Sequence, residues 1–301
     1  MVHGVTARLE VAHLSKSYGA QRAVDDLSFD VPAGTIFGLL GRNGAGKSTT
    51  FSCILGLTRA TSGTAAVDGA PVDVRTLERI AYIPEVPAVY GWLTGQEHIA
   101  FWRRLYARFD TALARDLAER FDLDLRKRAR ALSKGNKTVL ALVLAFAQRA
   151  DLLILDEPSS GLDPVMQREL LTLIIEAGAE GTTIVFSSHA IGQVERAAER
   201  IGIMGKGRLL LEGDLDTLRA GHKIVEATYP GTPDVASLSG RRGVDELVVD
   251  GALVRVRTSE YPDGAVRALQ EQGPSSLRIL DLSLEELFMQ TIAAPPALRT
   301  N

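Results

Sequence analysis

The feature that most constrains the fold of this sequence is a glycine-rich segment, GRNGAGKST at 41–49, which lies between a strand pattern and a helix pattern. The apolar run at 35–40 is typical of a buried strand, and the pattern from Lys47 onward is typical of a helix. Glycines let successive backbone N–H groups face an anion, and a helix start adds the positive end of its dipole. This order of strand, loop and helix predicts a phosphate-binding loop in an α/β protein.

Two side chains of this loop carry specific chemistry. Lys47 is expected to bridge the β- and γ-phosphates of a nucleotide, and Ser48 is expected to offer its hydroxyl to Mg²⁺. A glycine-rich turn that only caps a helix is the alternative, which the flanking strand and helix patterns disfavour. The candidate nucleotide-binding residues of the loop are Gly41, Asn43, Gly44, Gly46, Lys47, Ser48 and Thr49.

A pair of carboxylates follows a second buried-strand pattern. The run LLIL at 152–155 ends in Asp156 and Glu157, so both acids leave the carboxyl end of a strand, where open α/β sheets bind ligands. Asp156 suits a metal ion, directly or through water, and Glu157 can face the γ-phosphate and orient an attacking water. Alone the pair could be a loop cap, but beside a phosphate-binding loop it indicates a hydrolytic site.

Short apolar or β-branched runs alternate with longer helical patterns over the first 213 residues, which indicates α/β architecture. The predicted strands lie near 7–13, 24–31, 35–40, 64–67, 79–83, 152–155, 182–187, 200–205 and 208–211. The predicted helices lie near 47–57, 95–107, 111–121, 134–149, 164–178 and 190–198. The segment 86–134 is mostly helical, and we expect it to form a subdomain inserted into the α/β core.

The pattern changes beyond a short helical piece between Gly213 and Gly221. Strand-like and helical runs then predict a small α+β appendage. The strand-like runs are 223–229, 245–249, 252–257 and 277–281, and the helical runs are 264–271 and 283–292. The expected domains are therefore 1–221, with a mixed-sheet core and the helical subdomain, and 222–301, a small accessory domain.

Composition disfavours several classes of protein. The net charge is −3 and the pI is about 6.0, so no global basic field attracts nucleic acid or an anionic membrane. No uninterrupted apolar run reaches the roughly 18 residues of a membrane span, and the N-terminus lacks the apolar core of a signal peptide. The single cysteine, Cys53, lies in an apolar helical run and is expected to be buried. We therefore expect a cytoplasmic protein that does not bind nucleic acid.

With these motifs, the chain resembles the nucleotide-binding subunit of an ATP-binding-cassette (ABC) transporter over about 8–213. The loop at 41–49 resembles the family's Walker A motif, and 152–157 resembles its Walker B motif. The resemblance implies a P-loop NTPase of the ABC cassette type, with ATP and Mg²⁺ as cofactors. The catalytic residues that it implies are Lys47, Glu157 and His189, a switch histidine that contacts the γ-phosphate, and the implied adenine-stacking aromatic is Tyr18.

The family signature, typically LSGGQ, resembles LSKGN at 132–136, and its D-loop resembles SGLD at 160–163. The resemblance implies that Ser133, Gly135 and Asp163 serve the ATP of a second cassette in a head-to-tail dimer. From the residues alone, Ser133 and Asp163 are helix N-caps. The lysine in place of a signature glycine adds a cation beside that phosphate, so we expect a working variant of the motif.

Glu85 stands where the family usually has its Q-loop glutamine. It would add a carboxylate near the Mg²⁺ and is expected to raise the demand for metal or to alter coupling. The metal-binding residues expected from the sequence are thus Ser48, Asp156 and Glu85.

The resemblance also implies partners. Two copies, or this chain and a paralogue, are expected to pair around two ATP, and a separate transmembrane permease is expected to hold them at the inner face of the cell membrane. The C-terminal run DLSLEELFMQTI resembles the tail of cassettes that serve separate exporter-type permeases, so export is the expected direction.

The permease contact is expected at the turn-rich loop 86–93, which carries Tyr90 and Trp92. The side chains of Ile99, Trp102 and Tyr106 fall on one face of the following helix and could extend this contact. Packing within the helical subdomain is the alternative for that face.

Other functions fit only part of the sequence. A non-transport ABC-type ATPase acting on nucleic acid or ribosomes usually has two cassettes or a long coiled-coil insertion, whereas this sequence shows one cassette and no heptad run. Glu157 argues against a regulatory sensor that binds nucleotide without hydrolysing it, because such a sensor does not need a carboxylate that orients an attacking water. A GTPase is disfavoured because the only Asn-Lys pair, at 136–137, is followed by Thr138 and Val139 in place of the guanine-reading x-Asp.

Overall fold

The computed structural model describes residues 7–221, 223–231, 244, 246–258 and 263–293. It divides into two compact units, Met1–Glu212 and Gly213–Asn301. The division falls before the helix at Leu215–Gly221, whereas the sequence placed the boundary after it. That helix is therefore part of the second unit.

The elements of the first unit follow the predicted alternation. The strands are β1 (Ala7–Tyr18), β2 (Gln21–Pro32), β3 (Ile36–Gly41), β4 (Ser62–Val67), β5 (Ala70–Pro71), β6 (Ile80–Ile83), β7 (Leu152–Asp156), β8 (Thr183–Ser188), β9 (Arg200–Gly205) and β10 (Arg208–Asp214). The helices are α1 (Lys47–Ile54), α2 (Val74–Leu77), α3 (Gly95–Leu105), α4 (Thr111–Arg120), α5 (Lys134–Ala147), α6 (Pro164–Ala179) and α7 (Ile191–Ala197), with a 3₁₀ turn at Ala129–Ala131.

A central sheet with the strand order β10-β9-β3-β8-β7-β6 positions the site. Strands β6, β7, β8, β3 and β9 are parallel, whereas the two-residue turn between β9 and β10 requires those strands to be antiparallel. Every residue of β3, β7 and β8 is buried, as expected for strands covered on both faces. Their carboxyl ends therefore meet at one edge of the sheet.

A second sheet, with the order β2-β1-β4-β5, covers one side of α1. Its apolar side chains join those of α1 and of the central sheet in one core cluster, within which the rings of Phe29 and Phe37 stack with centroids 5.3 Å apart. Phe51 of α1 is fully buried in this cluster. Burial of such a side chain contributes about 1.5–3 kcal/mol, so α1 is anchored directly behind the loop from which it starts.

The helical insertion lies between β6 and β7, as the sequence predicts. Side-chain caps begin its helices: Thr94 forms a capping box at α3, Asp110 caps α4 and Ser133 caps α5. Helix α5 is buried along most of its length and contacts both α3 and α4. The rigid α5 thus connects the insertion to the sheet.

Some boundaries differ from the sequence prediction for local reasons. Helix α1 ends at Ile54 because Gly56 adopts a left-handed backbone, φ +68°, where the sequence predicted continuation to 57. Strand β1 extends to Tyr18 through the polar residues SKS because it pairs with β2 along this stretch. The short elements β5 and α2 carry too few residues to show a periodic pattern.

The second unit contains a sheet with the order β12-β13-β11-β14 and antiparallel neighbours. Its elements are α8 (Leu215–Gly221), β11 (Lys223–Thr228), β12 (Glu246–Asp250), β13 (Leu253–Thr258), α9 (Asp263–Gln270), β14 (Ser276–Asp281) and α10 (Leu284–Ala293). Apolar side chains of β11 and β13 pack against α9, as an α+β fold requires. Residues 222 and 245, the first of the predicted domain and of a predicted strand, lie outside the described residues.

Within the part of the chain that the structure describes, no helix combines the length and the apolar character needed to cross a bilayer.

Candidate active site

The glycine-rich loop between β3 and α1 has the backbone that a phosphate cradle needs. Gly44 and Gly46 adopt left-handed conformations, with φ of +79° and +106°. A Cβ added at Gly46 would lie 2.5 Å from the Ala23 carbonyl oxygen, so only glycine fits there. The loop leads directly into α1 at Lys47, which aims the start of that helix at the same space.

Lys47 is buried and links the loop to the carboxyl end of β7. Its Nζ donates to the Gly41 carbonyl oxygen at 2.7 Å and lies 3.0 Å from Glu157 Oε1. The contact with Glu157 lies outside hydrogen-bond geometry, so Oε1 keeps its capacity to accept a hydrogen bond. The Lys47 ammonium and the Glu157 carboxylate thus form a close ion pair, and a phosphate or a water could bind to either group at the pocket.

Ser187 on β8 fixes the two acids that end β7, and sequence reasoning missed it. Its Oγ donates to Asp156 Oδ1 at 2.6 Å and accepts the Glu157 backbone N–H at 2.9 Å. The backbone of Glu157 is left-handed, φ +48°, a conformation that costs a non-glycine residue about 1–3 kcal/mol. The bonds from Ser187 help to hold this strained turn, which aims Glu157 away from its strand.

His189 follows β8 and contacts the second oxygen of Glu157. Its Nδ1 lies 2.8 Å from Glu157 Oε2. A carboxylate only accepts hydrogen bonds, so Nδ1 carries the proton and Nε2 remains available for another partner. The imidazole is 60% exposed, so a ligand can reach it.

The Asp156 carboxylate also acts on the neighbouring strand. Burial, and to a smaller extent this carboxylate, raises the pKa of Tyr82 to about 12. Tyr82 on β6 therefore keeps its phenolic proton at neutral pH and adds no negative charge to the acidic edge of the sheet.

A pocket of about 720 Å³ opens above the loop and brings together many of the predicted nucleotide-binding residues. The predicted residues in its lining are Tyr18, Asn43, Gly44, Gly46, Lys47, Ser48, Thr49, Glu85 and Glu157. Tyr18 is half exposed, and Lys16 Nζ lies 4.8 Å from its ring centroid. The lining does not include Gly41, Asp156 or His189. Gly41 and His189 each contact a lining residue, Lys47 and Glu157 respectively, and Asp156 directly precedes Glu157.

Outside the phosphate loop, sequence reasoning also missed five residues of this pocket, one of which is Ala23 of β2. Gln21 and Arg22 come from the start of β2, and Lys206 and Gly207 come from the turn between β9 and β10. No short motif marks them. Pairing of β1 with β2 and the turn between β9 and β10 place these residues beside the phosphate loop. Arg22 and Lys206 thereby add two cations to a site for an anion.

The structure does not bring the signature and D-loop residues into this pocket. Ser133 caps α5 by accepting the Asn136 backbone N–H at 3.1 Å, and Asp163 caps α6. A Cβ added at Gly135 would lie 2.9 Å from the Gly161 carbonyl oxygen, so the two segments touch. Together they form a separate surface outside the pocket.

The oxygen atoms at the pocket suit Mg²⁺, which prefers hard oxygen ligands. Ser48 and Glu85 line the pocket, and the buried Asp156 directly precedes Glu157 of the lining. Among the described residues, no cluster of three or more His, Cys, Asp or Glu side chains could hold a metal ion alone. This donor set fits a metal that takes few protein ligands and completes its shell with phosphate and water.

A second, more apolar groove of about 600 Å³ lies between the sheet and the helical insertion. Trp102 of α3 and Tyr106, which directly follows this helix in an extended conformation, line the groove. Ile99 is buried in the insertion, so the three residues predicted to share one helix face do not form one contact surface. Tyr90 and Trp92 are exposed beside this groove, with ring centroids 5.2 Å apart.

Comparison with known proteins gives consistent matches. The family described as ABC transporter matches residues 24–160. The Bacillus subtilis uncharacterized ABC transporter ATP-binding protein YhaQ is 31% identical over 95% of this chain and 99% of its own length. Nod factor export ATP-binding protein I of Mesorhizobium japonicum is 32% identical over 95% of this chain and 86% of its own. A solved ATP-binding subunit of an ABC transporter is 35% identical, with a TM-score of 0.65 over 70% of this chain and 92% of its own.

Proposed function

This chain belongs to the family of ABC transporter ATP-binding subunits, and on that premise we propose that it drives export through a separate membrane permease. The family is one of nucleotide-binding ATPases. The observation that carries the catalytic part of the proposal is the contact of Glu157 with both Lys47 and His189 at the mouth of the phosphate loop. Export is supported by the name of the Mesorhizobium relative, which is similar over 95% of this chain.

In the proposed reaction, the loop N–H groups and α1 hold the β-phosphate, and Lys47 turns its ammonium from Glu157 to the γ-phosphate. Glu157 then has both oxygens close to the reacting phosphate and orients the attacking water. His189 keeps the carboxylate in place through Nδ1–H. It donates to the γ-phosphate from Nε2 in its imidazolium form, in which both ring nitrogens carry a proton. Tyr18 stacks on the adenine at the outer end of the pocket.

Ser48, Asp156 and Glu85 are the proposed protein ligands of Mg²⁺, directly or through water. When bound, the ion would neutralise charge on the β- and γ-phosphates. Glu85 distinguishes this site, because its carboxylate adds a negative charge to the pocket that Lys47 also lines, and this charge favours occupancy by a divalent cation.

The residues outside the pocket support pairing of two cassettes. Ser133 and Gly135 lie at the start of α5, where the helix dipole and free N–H groups suit an anion, yet no part of this surface lines the chain's own pocket. We assign them, with Asp163, to the ATP bound by a second cassette. That cassette is another copy of this chain or a paralogue.

Replacement of Ser133 by arginine tests this assignment. In Ser133→Arg, a bulky side chain at the start of α5 should block the approach of the second cassette, so hydrolysis should fall at least about tenfold, while ATP binding by the monomer stays within about twofold. ATP titration at low protein concentration and phosphate release at high concentration measure the two effects. An equal loss of monomer affinity would place Ser133 in the chain's own site.

The apolar groove supports the proposed contact with the permease. It is lined by apolar and aromatic side chains, and Tyr90 and Trp92 stand exposed beside it, which is typical of protein interfaces. Occupation of this groove by a cytoplasmic segment of the permease would hold the cassette at the inner face of the membrane. Glu85, at the end of β6, would then lie between the nucleotide and the transporter.

Loss of the two exposed aromatics should separate docking from hydrolysis. Tyr90→Ala combined with Trp92→Ala is expected to leave basal ATPase of the isolated subunit within about threefold, but to weaken retention of the membrane partner at least about tenfold. Copurification from detergent-solubilised membranes measures retention. Val74→Ala combined with Leu210→Ala removes comparably exposed apolar side chains elsewhere and should change neither quantity.

The whole proposal is tested by identifying the membrane protein that copurifies with the chain and reconstituting both in vesicles. ATP-dependent movement of a solute from the cassette side, blocked by loss of Glu157, is the expected result. Binding to nucleic acid or ribosomes with no membrane partner would contradict it.

A further inference from the structure

Four side chains form a continuous polar connection behind the Glu157–His189 pair. Gln193 Oε1 accepts from Ser159 Oγ at 2.8 Å and lies 3.4 Å from Ser188 Oγ. Gln193 Nε2 donates to Gln167 Oε1 at 3.3 Å. Ser159 and Ser188 are buried, and the two glutamines are half-buried. We call Ser159, Gln167, Ser188 and Gln193 the amide relay.

One end of the amide relay holds the turn that carries His189. Ser188 directly precedes the histidine, and its Oγ accepts the backbone N–H of Ala190, which directly follows it, at 2.9 Å. Gln193, in the first turn of α7, contacts the same hydroxyl. The position of the imidazole relative to Glu157 therefore depends on where Gln193 lies.

The other end holds the D-loop. Gln167 Nε2 donates to the Leu162 carbonyl oxygen at 3.0 Å and lies 3.5 Å from the Ser159 carbonyl oxygen. Leu162 is the residue between Gly161, against which the signature segment packs, and the α6 cap Asp163. A shift of this loop on contact with a second cassette would be transmitted to Gln167, and from there to Gln193.

The relay is neutral, and its orientation is fixed. A carbonyl oxygen only accepts, so Gln167 must present Nε2 to Leu162 and its Oε1 to Gln193. Gln193 therefore donates from Nε2 to Gln167, and its Oε1 accepts from the Ser159 hydroxyl. The hydrogen bonds of the amide relay are complete only while the D-loop and the turn that carries His189 keep their present positions. Such a network couples two loops more sharply than apolar packing, because any movement leaves a buried polar group unsatisfied.

We propose that the amide relay makes Gln193 and Gln167 positioning residues for ATP hydrolysis, setting the distance between His189 and Glu157 according to the position of the D-loop. The pair touches no nucleotide and acts only through the histidine turn. The inference rests on the proposed hydrolysis at Glu157 and adds that engagement of the second cassette is communicated within the chain by two amides.

Two single variants and their combination test the relay. Gln193→Glu keeps the length of the side chain and accepts from Ser159, but sets an oxygen against Gln167 Oε1. Gln167→Lys removes that acceptor. Each single change should lower kcat about tenfold, because the loss of one hydrogen bond between the amides lets His189 move relative to Glu157, with KM for ATP within about twofold. The double variant pairs a carboxylate with an ammonium and should recover kcat to within about threefold of the original chain.

Gln96→Glu on the exposed face of α3 is the matched control and should leave kcat unchanged. Thermal unfolding of every variant is followed in parallel. Wild-type kcat in both single variants, or a loss that the double variant fails to recover, would overturn the relay. Absence of hydrolysis by the unmodified chain would instead contradict the proposed function.

Discussion

Lys47→Ala is expected to abolish ATP hydrolysis and to weaken ATP binding about 10- to 100-fold. The lost contact is a charge-assisted hydrogen bond to phosphate, which contributes about 1.5–3 kcal/mol, and no other lysine or arginine among the described residues forms an ion pair with Glu157. Binding is measured by titration with a fluorescent ATP analogue, and hydrolysis by phosphate release.

The fold of this variant is expected to survive, because Glu157 keeps its contact with His189 and Gly41 remains packed at the end of β3. Circular dichroism checks this point. Arg42→Ala removes a neighbouring cation of the loop that does not line the pocket, and should leave both activities near their original values. ATPase activity near wild type in Lys47→Ala would refute the assignment of the phosphate loop.

Glu157→Gln is expected to lower turnover by about 10²- to 10⁴-fold while ATP still binds. The amide keeps the shape of the side chain but cannot take a proton from the attacking water. The variant should then accumulate as an ATP-held dimer, because the step that releases it is blocked. Light scattering in the presence of ATP and Mg²⁺ measures the dimer, and phosphate release measures turnover.

Glu119→Gln on the exposed side of α4 is the matched control and should hydrolyse ATP normally. Only monomer with bound ATP, or turnover within a few-fold of the original chain, would show that Glu157 does not position the water. The first outcome would also question the assignment of Ser133 and Gly135 to a second cassette.

The predictions that the structure and the comparisons confirm depend on local sequence. The strand, loop and helix around 41–49 are contiguous, so their order alone predicts both the α/β class and the nucleotide-binding family. The buried strands β3, β7 and β8 carry unbroken apolar runs that no exposed element would tolerate. Individual roles, such as that of His189 at the γ-phosphate, remain predictions.

What the sequence could not show depends on pairing between distant strands. Ser187 holds Asp156 only because β7 and β8 are neighbours in a register that sets these two residues side by side. A serine near the end of a strand has no distinguishing pattern. Lys206 likewise reaches the pocket through a turn that is far from the phosphate loop in sequence.

The face of α3 shows a limit of helical periodicity. Ile99 and Trp102 share one side of α3, but that side meets the interior of the insertion at Ile99 and the open groove at Trp102. Tyr106 also lines the groove, yet it follows the last residue of α3 in an extended conformation, where the sequence predicted that the helix continues to 107. Spacing predicts which side chains point the same way. It does not predict what they meet, because the neighbours come from other elements.

Burial shields Cys53, on the helix that follows the phosphate loop, from oxidants. This one cysteine of the chain lies on α1, a short distance from Lys47, yet it is only 8% exposed, and burial raises the pKa of its thiol. Oxidation to a sulfenic acid, capture by glutathione and formation of a mixed disulfide all require an accessible thiolate. Helix α1 therefore carries a sulfur atom that is shielded from the reactions by which an exposed cysteine acts as a redox switch.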